Sequence, residues 1–231
     1  TQIIINSKEI MELLNRDNIK IDEVTDYHKY PIADNDMPQL SSDRLEYTLS
    51  NGFGVRKQLW DLDKIKQIYQ NIEIQKNEEK IEELGFKDKE IAEEFTKNMS
   101  TLSISYMDSK TKLSMQFLAD IVKKMHEKNL ITKRDLYKLS EKEIIQKIEK
   151  CKIDNIATIF KKWKNITEAY ESDTLIKNKY CKSIKTKIRY INPLVRENGE
   201  FIRISEASEK ARKDIDNCLN FKTKKYAYFD F

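Results

Sequence analysis

The chain has 231 residues, 39% of them hydrophobic and 35% charged, with only 4 glycines and 3 prolines. That length allows one large or two small domains with a real core, and the scarcity of Gly and Pro disfavours an all-β fold and favours helices. The net charge of +4 hides an uneven spread, because residues 177–231 carry 14 Lys/Arg against 7 Asp/Glu and the remainder is slightly acidic.

No apolar run approaches the roughly 20 residues of a membrane span, so no membrane partner is expected, and no signal peptide is visible. Cys151, Cys181 and Cys218 are isolated from one another and from the two histidines, His28 and His126. That pattern offers no zinc motif and fits a reducing, cytoplasmic setting.

Asn6 or Ser7 caps a first helix bearing Ile10, Leu13 and Leu14, which ends near Asn15 to Asn18. Ile21 and Val24 mark a short turn. After Asn51-Gly52, taken as a helix stop, and a flexible link, Asp61 caps a helix with Leu62, Ile65, Ile68 and Tyr69. Ile72 and Ile74 alternate as a brief extended piece. Glu78 to Leu84 is charged and predicts a short helix closed by Gly85. Asp88 and Ser109 then open two long helices with stripes from Ile91 to Tyr106 and from Leu113 to Met125. Such Met and aromatic stripes at helical spacing predict core.

Thr132-Lys133-Arg134-Asp135 and Ser140-Glu141-Lys142-Glu143 each fit the capping box, a hydroxyl followed three residues later by an acid. Asp154 or Asn155 starts a helix with Ile156, Phe160 and Trp163. The pattern then changes. Ser183 to Ile191 alternates as a strand, Asn198-Gly199 forms a hairpin turn before Phe201 to Ile204, Ser205 caps a helix ending near Asn220, and Tyr226 to Phe231 closes as a strand. The expected fold is mainly α. Residues 1–176 form a helical region, and residues 177–231 form a small basic α+β unit of short antiparallel strands.

The stretch least like helical sequence runs from Tyr27 to Tyr47 and includes Tyr30-Pro31-Ile32-Ala33-Asp34-Asn35-Asp36 and then Ser41-Ser42-Asp43-Arg44-Leu45-Glu46-Tyr47. Ser41 or Ser42 caps a helix whose first turn holds Asp43, where the helix dipole favours a carboxylate. Leu45 and Leu49 share its buried face, while Asp43 and Tyr47 share another.

The Asp-Arg-Leu-Glu-Tyr run after this loop resembles the late part of an HD-superfamily metal-dependent phosphohydrolase. The phrase Asp135 to Ile145 is similar to a helix pair that follows the core in nucleotide-directed members. The resemblance implies an HD-type helical bundle remnant in which Asp43 is the last ligand of a divalent metal ion (Mg, Mn, Fe, Co or Zn). The other ligands in that family are an earlier His and a His-Asp doublet. This chain has no such doublet and opens at Thr1 without Met. The implied object is therefore a fragment or truncated copy, inactive alone and a phosphohydrolase when intact.

The plain reading of Asp43 is a first-turn acid that stabilises its helix. His28 is either a phosphate or metal-supporting group or a hydrogen-bonded loop histidine. Asp34, Asn35 and Asp36 either line the site or form Asx turns. Arg44 pairs with a substrate phosphate or with a nearby acid, and Tyr47 lies on Asp43's face. Hydrolysis of a phosphoester, with a nucleotide as one substrate, is the implied activity. The alternative is a non-catalytic module that contacts protein or nucleic acid through its basic C-terminal unit, and a homo-oligomer is compatible with either. Neither a phosphate-binding glycine loop nor a Ser/His/Asp arrangement is present to suggest another chemistry.

Overall fold

Capping chemistry sets most of the helix boundaries in the computed structural model, which describes residues 2–54, 59–153, 155–185 and 187–231. After α1 (Gln2–Ile5), Ser7 caps α2 (Lys8–Arg16) and α3 (Ile21–Thr25) follows. A single 3-10 turn at Tyr27–Lys29 leads through an irregular loop to α4 (Ser42–Gly54). Asp61 Oδ1 accepts from Lys64 N at 2.8 Å and caps α5 (Leu62–Asn71). Then come β1 (Ile72–Lys76), β2 (Glu82–Phe86), α6 (Lys89–Met107) and α7 (Ser109–Glu127). Both capping boxes form, Thr132 with Asp135 at α8 (Lys133–Lys138) and Ser140 with Glu143 at α9 (Glu141–Glu149). The remaining elements are α10 (Ile156–Lys164), β3 (Tyr170–Ser172), β4 (Tyr180–Ser183), β5 (Leu194–Glu197), β6 (Glu200–Arg203), α11 (Ile204–Ala207), α12 (Glu209–Leu219) and β7 (Tyr226–Phe229). The protein is thus mainly α, and none of its described helices is long and apolar enough to cross a membrane.

One four-stranded sheet has the order β1-β2-β5-β6 and the other, three-stranded, the order β3-β7-β4. All pairings are antiparallel except β2 with β5, which is parallel. The β5–β6 hairpin turns on Asn198 at φ 52° and Gly199 at φ 88°, the left-handed pair that a tight two-residue turn requires.

Several boundaries differ from the sequence expectation, each because a distant partner overrides local pattern. The segment expected as a helix from Glu78 to Leu84 is a turn followed by β2. Asn77 Oδ1 accepts from Glu79 N and Ile81 N, both at 3.0 Å, and β2 pairs on both sides. Asn51-Gly52 does not stop α4, because Gly52 lies within it against the indole of Trp60. Ser208, rather than Ser205, caps α12, while Ser205 Oγ accepts from Asn192 Nδ2. The expected strand from Ser183 to Ile191 does not form among the described residues: only Ser183, the last residue of β4, is strand, because Ile184 packs on one core and the chain from Ile188 joins the other unit. Asp154 and the link after Gly54 (residues 55–58) lie outside the described residues, and Asn155 stands at the N-cap of α10.

The chain forms two compact units. The first comprises residues 1–104 and 188–220, and the second residues 105–187 and 221–231. The division therefore does not fall at residue 176, and the segment 177–231 contributes to both units. In the first unit Phe95 lies between Trp60 and Phe86, at ring-centroid distances of 6.0 and 5.2 Å, with Leu45, Leu49, Ile68 and Val195 also buried. In the second, Phe117 meets Trp163, Tyr180, Phe229 and Phe231 over a core of Leu113, Ile121, Met125, Ile148 and Phe160.

A Cβ at Gly52 would fall 2.7 Å from Trp60 Cε2, on an indole whose Nε1 donates to Leu49 O at 3.1 Å. Gly52→Ala should therefore cost about 1–3 kcal/mol by overpacking despite the better helix propensity of alanine. Urea denaturation will read this as a lower midpoint.

Candidate functional site

The stretch singled out in the sequence is ordered by its own side chains. Asp26 Oδ1 accepts from His28 N at 3.2 Å and lies 3.0 Å from His28 Nδ1, and Tyr27 stacks on the imidazole with centroids 4.1 Å apart. The bond with His28 holds the Asp26 carboxyl below its ordinary pKa. His28 is thus an exposed ring engaged with Asp26, at the turn that precedes the loop.

The loop itself closes around Asn35. This buried side chain donates Nδ2 to Pro31 O at 3.1 Å and to Leu40 O at 3.3 Å. Arg44 reaches back from the first turn of α4 and donates to the Asn35 side chain, to the Asn35 carbonyl and to Gln39 O, with Asp34 3.7 Å away. Asp34 Oδ1 also accepts from Asn35 N at 2.9 Å, the adjacent amide rather than the one two residues on that an Asx turn uses. The Arg44 guanidinium is therefore committed to holding the loop. Asp36 is exposed, and its carbonyl accepts from Gln39 N.

Asp43 sits where the loop enters α4. Its backbone N–H donates to Ala33 O at 3.1 Å, Ser42 N donates to Ile32 O at 2.8 Å, and Arg44 N donates to Ser41 Oγ at 3.4 Å. The free amides of the first turn are thus satisfied by the loop and by Ser41. The Asp43 side chain is exposed and takes no hydrogen bond or ion pair among the described residues. Tyr47, one turn on, is 53% exposed.

The loop is also tied to a buried ion cluster that local sequence does not reveal. Leu40 N donates to Glu83 Oε1 at 3.0 Å, and Leu84 N returns a bond to Leu40 O at 3.2 Å. Glu83, fully buried in β2, is met by Arg203 from the end of β6 through Nη1–Oε1 at 2.7 Å and Nη2–Oε2 at 3.0 Å. Arg203 also grips Glu78 through two bonds of 2.7 Å and donates to Asn192 O. Asn192 N in turn donates to Pro38 O at 2.9 Å. Burial disfavours the charged guanidinium, but the bonds to Glu78 and Glu83 outweigh it and keep its pKa above the ordinary arginine value. The Arg203 bond likewise holds Glu78 below the usual glutamate range, against a smaller opposing effect of burial.

Among the described residues no group of three or more His, Cys, Asp or Glu side chains is placed to hold a metal ion. Asp43 is a single carboxylate, so the side chains present do not make up a metal site by themselves. A concavity of about 590 Å³ lies in the second unit, between Met125, Leu139, Cys151 and Ile153, and no residue of the 27–47 stretch lines it. Comparison with protein-family models, with curated proteins and with solved structures gives no match.

Breaking the cluster by Arg203→Met leaves Glu83 buried without its partner and should cost about 3–5 kcal/mol, whereas Arg203→Met with Glu83→Leu should recover most of that loss. Glu78, its pKa lowered on folding, stabilises fully above its unfolded value and progressively less as pH falls through the folded value. The acid limb of the stability curve should therefore flatten in Arg203→Met, as measured by chemical denaturation across acidic pH.

Proposed function

We propose that this chain forms part of a metal-dependent phosphohydrolase of the HD superfamily, acting on a phosphoester such as a nucleotide. Asp43 would be the carboxylate it contributes to the metal. One observation carries the reading. Asp43 occupies the first turn of a helix whose amides already have acceptors, so its carboxylate is not consumed in capping and stays exposed. A carboxylate whose backbone is anchored by the loop, with no partner of its own, suits a ligand whose cation is shared with other groups.

The reading requires ligands beyond those the described residues supply. What the chain's own side chains do is positional. Arg44 and Asp34 fix the loop, and Asn35 is its hub. Asp36 and Tyr47 are the remaining groups of the stretch that suit contact with a substrate, and His28 flanks them in sequence.

The test compares the intact protein with its Asp43→Asn variant for bound divalent metal and for hydrolysis of nucleotide and simple phosphoesters. Loss of the ligand should reduce metal content and lower activity by at least about 100-fold. The thermal midpoint should move little, since an exposed first-turn acid contributes only about 0.3–1 kcal/mol. Wild-type metal content and activity in the variant would refute the assignment.

A further inference from the structure

The division into units redistributes the charge. Residues 105–187 and 221–231 carry 23 Lys/Arg against 12 Asp/Glu, a net +11, whereas residues 1–104 and 188–220 carry 20 against 27, a net −7. The basic character expected of the C-terminal segment therefore belongs to the second unit as a whole. Within it, 22 of the 23 cations are lysine and one is Arg134.

Internal pairing uses only some of this charge. Lys182 pairs with Asp120 and Lys179 with Asp230, both at 2.7 Å, and Lys224 lies 3.6 Å from Asp173. Lys177, Lys185, Lys187, Lys222 and Lys225 are exposed and form no ion pair among the described residues. All five lie just before or after strands of the three-stranded sheet.

That sheet has one buried face and one aromatic face. Ala227 and Phe229 of β7 point into the core, so Tyr226 and Tyr228 point the other way. Tyr228 stands opposite Tyr170 on β3, their ring centroids 5.5 Å apart, and Tyr170 is 43% exposed. Tyr226 carries Lys225 Nζ over its ring at 5.4 Å.

We propose that this face binds single-stranded nucleic acid, with bases stacked on Tyr170, Tyr228 and Tyr226 and phosphates met by the unpaired lysines. Aromatic rings on a sheet offer every base a π-face, and flexible ammonium groups neutralise a backbone without reading sequence. Duplex reading asks instead for a helix that presents arginine or amide side chains to a groove. With 22 lysines and a single arginine, the unit has the charge for a backbone and few of the forks for base edges. The site shares no residue with the Asp43 stretch.

The test is fluorescence anisotropy of labelled oligo-dT and oligo-U, about 20 nucleotides long, titrated with the whole chain. A matched duplex and phosphatidylserine vesicles run in parallel. Single strands should bind, and binding should weaken about 100-fold between 50 and 200 mM salt if roughly five phosphates are neutralised. The double variant Tyr170→Ala/Tyr228→Ala should bind at least about 10-fold more weakly. Tyr170→Phe/Tyr228→Phe, which keeps the rings, should bind as the wild type does, and Lys222→Gln/Lys225→Gln should reduce the salt slope. Asp43→Asn should bind normally, so failure of the phosphohydrolase reading leaves this result intact. Absence of single-strand binding, equal or tighter binding of duplex or vesicles, or unchanged affinity in a folded alanine pair would each overturn the proposal.

Discussion

The first unit depends on one buried contact, the grip of Arg203 on Glu83. A carboxylate with no solvent exposure is expensive to bury unless its lone pairs are filled. Here two guanidinium bonds and the Leu40 amide fill them, with Asn77 Nδ2 at 3.4 Å. The cluster joins three separated pieces of chain: the loop before α4, strand β2, and the β5–β6 hairpin that returns about 120 residues later in sequence. Through Leu40 and Asn192 it fixes the loop at both Leu40 and Pro38, and through the loop it fixes the start of α4.

This arrangement separates two tasks that the sequence makes look like one. The polar residues between Tyr27 and Tyr47 suggest a single cluster of candidate ligands. In the fold, Asp34, Asn35 and Arg44 spend their polar groups on each other and on the backbone, and His28 spends its on Asp26. Asp43 and Asp36 are left facing solvent. A loop stiffened in this way holds the backbone of Asp43 without using its carboxylate, the property a ligand-bearing position needs.

What is legible in the sequence is what is decided locally. Ser7, Asp61, both capping boxes and the Asn198-Gly199 turn act over a few residues, and each appears where its pattern puts it. The start of α4 at Ser42-Asp43 is equally readable. Long-range partners are not. Glu82-Glu83-Leu84 resembles surface helix until Arg203 arrives, and Gly52 resembles a stop until Trp60 covers it. Asn35 reads as one more Asx residue, although burial makes it the hub of the loop. The two-unit division escapes the sequence because residues 188–220 return to a unit begun at the N-terminus, and a linear charge count cannot follow that return.

Amide hydrogen exchange at Leu40 tests the central contact most directly. Leu40 lies in a loop, yet its N–H is bonded to a buried carboxylate, so it should exchange as slowly as the Leu84 amide that pairs back to it. In Arg203→Met both amides should lose protection together, and by a similar factor. A Leu40 amide that exchanges at the rate of an open loop in the wild-type protein, or one whose protection survives the loss of Arg203 unchanged, would contradict the account.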